Sequence, residues 1–179
     1  MQLTNLLVLA AGASAAVTGV SRRGDAKKCL CKSDVDVLVG KYKDILNAWK
    51  PEYADYIANE GFYDFSQSIN TIAGLPDGFP IFPNKTAFVG YESTTPDNIP
   101  LTVEKVGPWN CDQIALIWNA KFAKAPVDPN NVRGITILGA KYEDKVWKIG
   151  SIDVEFDSIK YNKNLGGSTT PPPPPPSSS

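Results

Sequence analysis

Hydrophobic residues recur with two different spacings along the chain. In residues 33–50 the apolar side chains fall every three or four positions, which is the period of one face of an α-helix. These side chains are Val35, Leu38, Val39, Tyr42, Ile45, Leu46 and Trp49. After residue 100, apolar and polar residues alternate, which is typical of strands with one buried face. The pattern predicts a long amphipathic helix followed by a series of strands.

Local signals predict where the helices begin and end. Ser33, with acidic residues after it, is the predicted N-cap of the first helix. A short second helix is predicted to begin at Pro51 and to stop by Gly61. Residues 62–65 have strand-like aromatic content, and residues 82–85 lead into another short helix that carries Phe88 and Tyr91. The stretch 66–83 between them is rich in Gly and Pro, and neither a helix nor a strand is predicted there.

The second half of the chain reads as long strands. They are predicted over residues 101–106, 114–122, 132–143 and 146–159, with a tight turn at Asp144-Lys145. Helices first and strands afterwards favour an α+β fold, with the helices packed on one face of an antiparallel sheet. Four glycines would let the strands bend: Gly107, Gly134, Gly139 and Gly150. A sheet curved around the first helix leaves a cone whose wide mouth is a natural ligand cavity.

Composition excludes several classes of function. The 179 residues include 18 basic and 19 acidic side chains, a net charge of −1, so the chain lacks the basic stripe of a nucleic-acid-binding protein. It contains no histidine, which excludes a Ser-His-Asp or Cys-His nucleophile and the HExxH zinc motif. Three cysteines without histidine make a poor ligand set, so neither a metal nor a cofactor is expected.

The two ends of the chain suggest export. Residues 1–16 hold a short apolar run followed by Ala13-Ser14-Ala15, which predicts a secretory signal peptide rather than a buried helix. That run is too short to span a membrane. Residues 17–28 are predicted to be a disordered linker, residues 29–167 the folded domain and residues 168–179 a Pro- and Ser-rich tail. The tail predicts a polyproline spacer, with recruitment of a proline-reading domain as the alternative. The predicted location is extracellular.

An oxidising compartment has consequences for the cysteines and for one asparagine. Cys29 and Cys31 are too close in sequence to pair readily with each other, so one of them is expected to join Cys111. The other cysteine is left over. Asn84-Lys85-Thr86 is the N-x-[ST] sequence of the chain, and Asn84 is therefore a predicted glycosylation site.

Several short segments, in this order, carry a family resemblance between Cys31 and Gly167. They are Cys31-Lys32-Ser33-Asp34, Gly74-Leu75-Pro76, Phe82-Pro83-Asn84-Lys85, Trp118-Asn119-Ala120-Lys121-Phe122, Val132-Arg133-Gly134, Trp147-Lys148-Ile149 and Val154-Glu155-Phe156-Asp157-Ser158. Together they resemble the secreted fungal proteins that contain a nuclear transport factor 2-like domain. The resemblance implies a cone of the cystatin-like type, with a curved antiparallel sheet wrapped on the first helix. It also implies that Cys31 is the partner of Cys111, while Cys29 departs from the family pattern.

The same resemblance raises one enzymatic hypothesis. Relatives on this fold include ketosteroid isomerases, scytalone dehydratase and polyketide cyclases, which transfer protons inside the cone. Without histidine, the base here would have to be a carboxylate, and the candidates are Asp64, Asp153 and Glu155. Tyr63 or Tyr91 would donate a hydrogen bond to the developing oxyanion. Against this, Asp153 and Glu155 alternate with apolar residues, as expected on the outer face of a strand.

Two further hypotheses need no catalysis. A carrier would line an apolar pocket for a small hydrophobic ligand with Phe65, Phe88, Tyr91, Trp118 and Phe122, although ordinary core packing is the alternative for each. An interaction protein would use the outer sheet face, including Trp147, Ile149 and Glu155, for a homodimer or another protein partner. The sequence favours a secreted, non-enzymatic domain that binds a small apolar ligand or a protein partner.

Overall fold

The computed structural model describes residues 28–168, apart from residues 96, 97, 125 and 127. The predicted signal peptide, most of the predicted linker and the tail after Ser168 lie outside the described residues. Lys28, the last residue of the predicted linker, is described. Its ammonium group lies 3.7 Å from the centre of the Tyr142 ring.

The first helix, α1, spans Lys32–Asn47 and buries the predicted apolar face. Its N-cap is Cys31 rather than Ser33, so that detail of the prediction is wrong. Cys31 takes this place because its backbone N–H donates to the Asp34 carboxylate at 3.0 Å, in a capping box. Ser33 therefore lies inside the first turn of the helix.

Four shorter helices follow within the described part of the chain. They are a 3₁₀ helix over Pro51–Tyr56, α2 over Gln67–Ala73, α3 over Lys85–Thr94 and α4 over Ser158–Asn164. The sequence did not predict α2 or α4, and the last strand ends at Phe156 instead of residue 159. In both helices a side chain caps the first turn, since Ser66 accepts from Ile69 N and Asp157 accepts from Lys160 N.

Among the residues that the structure describes, five strands form one sheet in the order β1-β5-β4-β3-β2. They are β1 Tyr63–Phe65, β2 Leu101–Trp109, β3 Gln113–Lys121, β4 Asn131–Glu143 and β5 Val146–Phe156. Strands β2 to β5 pair antiparallel as predicted, whereas β1 joins the edge of β5 in parallel, so the sheet is mixed. Asp144 and Lys145 both have positive φ angles, 51° and 67°, as the predicted hairpin turn requires.

The core lies between this curved sheet and α1. The pairing register shifts twice between β2 and β3 and once between β4 and β5, and such irregularities bend long strands. From α1 the core takes Leu38, Tyr42 and Ile45, and from the sheet it takes inward residues such as Ile114 and Leu138. The predicted α+β cone is therefore confirmed.

The disulfide joins Cys29 to Cys111, with an S–S distance of 2.00 Å. The pairing of Cys31 with Cys111, which the family resemblance implied, is therefore wrong. The backbone explains the choice, because Leu30 N donates to the carbonyl oxygen of Cys111 at 3.1 Å and places the preceding residue beside it. Cys31 is committed to the helix cap, and its thiol donates to Asp34 at 3.0 Å.

The outer face of the sheet differs from the prediction at its hairpin end. Trp147 and Ile149 are buried, because the register shift at Gly139 turns this end of β5 inward. There Ile149 O accepts from Ala58 N at 2.9 Å. The exposed apolar side chains of the outer face instead include Ile135 and Ile137, which are 50% and 43% exposed.

Candidate functional site

A cavity of about 60 Å³ lies between the inner face of the sheet, α1 and α4. Most of its wall is aliphatic or aromatic, and Leu46, Ile69, Ile152, Val154 and Phe156 contribute to it. The lining residues that carry polar groups are Tyr42, Asp64, Trp118 and Tyr161. A space of this size holds a few water molecules or the end of a small ligand.

An apolar groove of about 320 Å³ lies beside the cavity, between α2, α3 and α4. Ile72, Leu75, Phe82 and Tyr91 are among the residues that line it. Ile69 and Tyr161 line both the groove and the cavity, so the two spaces meet at these side chains. The groove and the cavity are therefore neighbouring apolar spaces.

Asp64 is the predicted carboxylate that reaches the cavity. It lies in the middle of β1 and is only 8% exposed. Its backbone is fixed on both sides, because it exchanges hydrogen bonds with Phe82 at 2.9 and 3.2 Å and pairs with Ile152 of β5. Since side chains alternate along a strand, this pairing turns Asp64 inward and leaves Tyr63 exposed.

Tyr42 supplies a hydroxyl to the same cavity. Its oxygen lies 3.0 Å from Thr136 Oγ1, which also accepts a 2.8 Å hydrogen bond from the Trp118 indole N–H. An indole only donates, so the Thr136 proton is available to the Tyr42 oxygen, and the Tyr42 proton can then be directed into the cavity. Burial raises the pKa of Tyr42 above its usual range. The hydrogen bond with Thr136 lowers this pKa, and the negative charge of Asp64 raises it by a smaller amount. The phenol is therefore a donor at neutral pH.

The other two candidate carboxylates do not line the cavity. The two oxygens of Glu155 accept from Gln67 N at 2.6 Å and Ser68 N at 3.0 Å, so this carboxylate caps the first turn of α2. Asp153 is half-buried, and burial together with the charge of Glu155 raises its pKa. Neither group lies in the space that contains Asp64.

The tyrosine predictions missed the hydroxyl in the cavity. Tyr63 is exposed and Tyr91 lines the groove, while Tyr42 was counted only as part of the apolar face of α1. A signal was present, because Tyr42 interrupts an otherwise aliphatic stretch of that face and a buried phenol needs a hydrogen-bond partner.

The five predicted pocket aromatics are distributed over three environments. Trp118 lines the cavity and Tyr91 the groove. Phe88 is buried in the core against other aromatic rings, and Phe122 packs on Tyr161 with the ring centres 5.1 Å apart. Phe65 is half-buried in β1 and lines neither space.

The predicted glycosylation site lies on the surface. Asn84 is exposed and is the N-cap of α3, where its side-chain oxygen accepts from Ala87 N at 2.9 Å. Its amide nitrogen is not used for this cap. Use of the site stays a prediction.

Two kinds of feature are absent from the described residues. No group of three or more His, Cys, Asp or Glu side chains in this part of the chain could hold a metal ion. No helix within it has the length and hydrophobicity needed to cross a membrane.

A curved sheet that encloses a long helix and leaves an apolar cavity with one buried acid defines an α+β cone domain. The chain belongs to the NTF2-like domain family, whose sequence model matches residues 28–168. A comparison with curated protein sequences gives no significant match.

Solved structures agree with the fold at low sequence identity. A protein described as a SnoaL-like polyketide cyclase from Shewanella denitrificans is 8% identical, with 76% of this chain and 98% of that chain covered and a TM-score of 0.56. A protein described as an isomerase from Bacillus subtilis is 12% identical, with 76% and 95% covered and a TM-score of 0.55. A protein described as a ketosteroid isomerase from Kribbella flavida is 15% identical, with 81% and 86% covered and a TM-score of 0.51. At this level of identity these structures share the fold alone, so any function of this chain has to be argued from its own residues.

Proposed function

We propose that the domain binds a small apolar molecule, with its body in the groove and one end in the cavity. The observation that carries this proposal is the shared wall of the two spaces at Ile69 and Tyr161. The cavity alone is too small for a ligand of ordinary size, whereas the groove, at about 320 Å³, lies at the lower end of the volume range of small-molecule sites. Removing an apolar body from water supplies the binding free energy, at about 25 cal/mol per Å².

A blocking variant tests this binding mode. Ile69→Trp places a large ring in the shared wall, and Ile135→Trp adds the same ring on the exposed outer face as a control. With the neutral fluorophore N-phenyl-1-naphthylamine as probe, the control is expected to bind like the unchanged protein. Ile69→Trp is expected to bind about tenfold more weakly, which corresponds to roughly 1.4 kcal/mol. Equal binding by all three proteins would refute the proposed location.

Native mass spectrometry of the protein purified from its own secretion addresses the natural ligand. A retained small molecule would appear as an added mass that is lost on denaturation. The same spectrum reports glycan mass and oligomeric state. A bare monomer would argue against both retained ligands and self-association.

The proposed location is extracellular, as in the secreted fungal proteins that the sequence resembles. The disulfide between Cys29 and Cys111 supports this, because structural disulfides persist in oxidising compartments. The predicted signal peptide over residues 1–16 and the exposed Asn84 are consistent with it. The tail at residues 168–179 would then act as a spacer on an exported protein.

A second candidate function is proton transfer within the cavity. It is favoured by one observation, the presence of the Asp64 carboxylate and the Tyr42 hydroxyl in the same apolar space. In this reaction Asp64 takes a proton from the carbon next to a ligand carbonyl, and the Tyr42 hydroxyl stabilises the resulting enolate oxygen by a hydrogen bond. The proton then returns from Asp64 to another carbon, which completes an isomerisation without a cofactor.

Hydrogen exchange of a ligand distinguishes this enzyme from a carrier. The probe is cyclohex-2-enone in D₂O, and the measurement is deuterium uptake at its acidic carbons by NMR. Catalysed uptake that is lost in Asp64→Asn and retained in Asp153→Asn would support proton transfer. If uptake stays at the buffer rate in the unchanged protein, Asp64 does not act as a base on this class of carbonyl compound.

The third hypothesis is a protein partner on the outer face of the sheet. We propose a second copy of the chain as the partner, because Ile135 and Ile137 are central on the outer face. Nearby, Arg133 lies 3.1 Å from Glu104, so the rim of this apolar patch carries both signs of charge and is suited to a two-fold, self-complementary contact.

A further inference from the structure

A second concave surface lies outside the cone. It is a cleft of about 230 Å³ between the first half of α1 and the β4–β5 hairpin. From α1 it takes Asp34, Val37 and Lys41, whose spacing puts them on one face of the helix. None of these residues lines the cavity that contains Asp64, so the two sites are separate.

Part of this cleft is apolar and open to solvent. Val37 and Val146 are both about half exposed, and Trp147 lies buried behind them. Tyr142 contributes a ring that packs edge-on against Trp147, with the ring centres 5.4 Å apart. The cleft therefore offers a surface on which the apolar body of a small molecule could lie.

The charges around this surface are mostly positive. Lys28, Lys41 and Lys145 come from three different segments of the chain, against the single carboxylate of Asp34. Asp34 Oδ2 already accepts from Cys31 N and Sγ, each at 3.0 Å. Lys41 Nζ reaches Trp147 O at 3.5 Å, and burial together with the charge of Lys148 lowers its pKa. A bound anion would relieve this unfavourable electrostatic environment.

The indole of Trp147 forms a buried wall of this cleft beside Asp34. Trp147 is only 7% exposed, and its Nε1 makes no hydrogen bond with any of the described residues. The pKa of Asp34 is lowered chiefly by the hydrogen bonds from Cys31, and the indole of Trp147 adds a smaller lowering effect. The indole therefore lies close to the carboxylate of Asp34, and its N–H resonance is sensitive to charge that enters the cleft.

We propose that this cleft binds a small organic carboxylate. The apolar body lies on Val37 and Val146, and the carboxylate is held by the ammonium groups of Lys41 and Lys145. Three lysines against one aspartate give the cleft a net positive charge, which favours an anion. The exposed valines favour an anion that has a hydrophobic part.

The indole resonances of the protein provide a local readout. The chain has four tryptophans, and loss of one cross-peak in Trp147→Phe assigns the Nε1–H of Trp147. Titration with benzoate is expected to move this cross-peak along a saturable curve while that of Trp118, in the cone cavity, stays in place. Acetate lacks the apolar body and benzyl alcohol lacks the charge, so each is expected to bind about tenfold more weakly than benzoate, or roughly 1.4 kcal/mol.

Variants of one lysine test the role of the positive charge. Lys41→Met is expected to raise the benzoate dissociation constant about tenfold, and Lys41→Arg to leave it within about threefold. Lys105→Met, on the outer face of the sheet, removes a charge far from the cleft and is the matched control. An unmoved Trp147 cross-peak, equal binding of acetate, or unchanged affinity in Lys41→Met would each overturn the proposal.

Discussion

Gly134 of β4 lies directly against the indole ring of Trp118 on β3. A Cβ atom at Gly134 would come within 2.6 Å of Cε2 and 2.8 Å of Cη2 of that ring. The missing side chain lets the indole lie flat across the neighbouring strand, where its N–H reaches Thr136 Oγ1 at 2.8 Å. The same threonine contacts Tyr42, so this glycine supports the polar side of the cavity.

Substitution of this glycine tests that close approach. Gly134→Ala must displace the indole, and overpacking of this kind costs about 1–3 kcal/mol of unfolding free energy. Gly90 of α3 has nothing within 4 Å of its own added Cβ, so Gly90→Ala is expected to be neutral or to stabilise by about 0.5–1 kcal/mol. Urea unfolding measures both. Equal stability of the two variants would contradict the packing described here.

Two cysteine variants test the disulfide. Cys29→Ser opens a bridge between residues 82 positions apart, which the chain-entropy model equates with a loss of about 4.5 kcal/mol. Cys31→Ser is expected to keep both the bridge and most of the stability, with no thiol left to titrate. Lys28 and Lys32 place both cysteines in one tryptic peptide, so thiol titration of the variants is more decisive than peptide mapping. If Cys31→Ser were less stable than Cys29→Ser, the result would favour a disulfide between Cys31 and Cys111 instead.

At two aspartates, substitution by asparagine is expected to change the stability at pH 7 in opposite directions, and both effects depend on pH. The raised pKa of Asp153 means that its charged form destabilises the folded state, so Asp153→Asn should stabilise the protein at pH 7. That gain should vanish as the pH falls through the raised pKa. Burial alone would raise the pKa of Asp157, but its hydrogen bonds and the charge of Lys160 outweigh this and lower it.

Substitution of Asp157 is expected to have the opposite effect on stability from substitution of Asp153. Asp157→Asn should lose roughly 0.5 kcal/mol at pH 7, because a negative charge at the start of α4 is favourable there. This loss should begin to shrink as the pH falls through the usual aspartate pKa of 3.8, and it should disappear only below the lowered pKa of the folded protein, where the unchanged residue is also neutral. Urea midpoints measured from pH 3 to pH 7 check both signs. If the stabilities of both variants, relative to the unchanged protein, changed with pH in the same direction, the direction of one of the two pKa shifts would be wrong.

The proposed self-association is tested on the outer face. Ile137→Asp places a charge in the apolar patch, and Ile159→Asp places one on exposed α4 as a control. In size-exclusion chromatography with light scattering, the unchanged protein and the control are expected to have the mass of two chains. Ile137→Asp is expected to have the mass of one. A monomeric unchanged protein at about 100 μM would remove this hypothesis.

Most of the architecture could be predicted because it depends on long periodic patterns. The face of α1 and the alternation in β3 and β4 each extend over many residues, so one irregular position does not hide them. Short elements carried weaker signals. Helix α2 has only seven residues, and its N-terminus is stabilised by Glu155, which is distant in sequence.

The candidate site was predictable only in part, for a similar reason. Asp64 was one of three candidate carboxylates, but its inward orientation depends on the parallel pairing of β1 with β5. The disulfide and the buried Trp147 depend on backbone contacts between separate segments, such as that of Leu30 with Cys111. No local spacing rule contains this information.

The parallel contact between β1 and β5 also has a consequence for synthesis of the chain. Tyr63 leaves the ribosome long before Ser151, its partner across the sheet. Until the C-terminal strand emerges, β1 has no edge to join and the apolar face of α1 has little to cover it. Nascent chains in this state are natural clients of chaperones, and the cone closes only when translation of the domain is nearly complete.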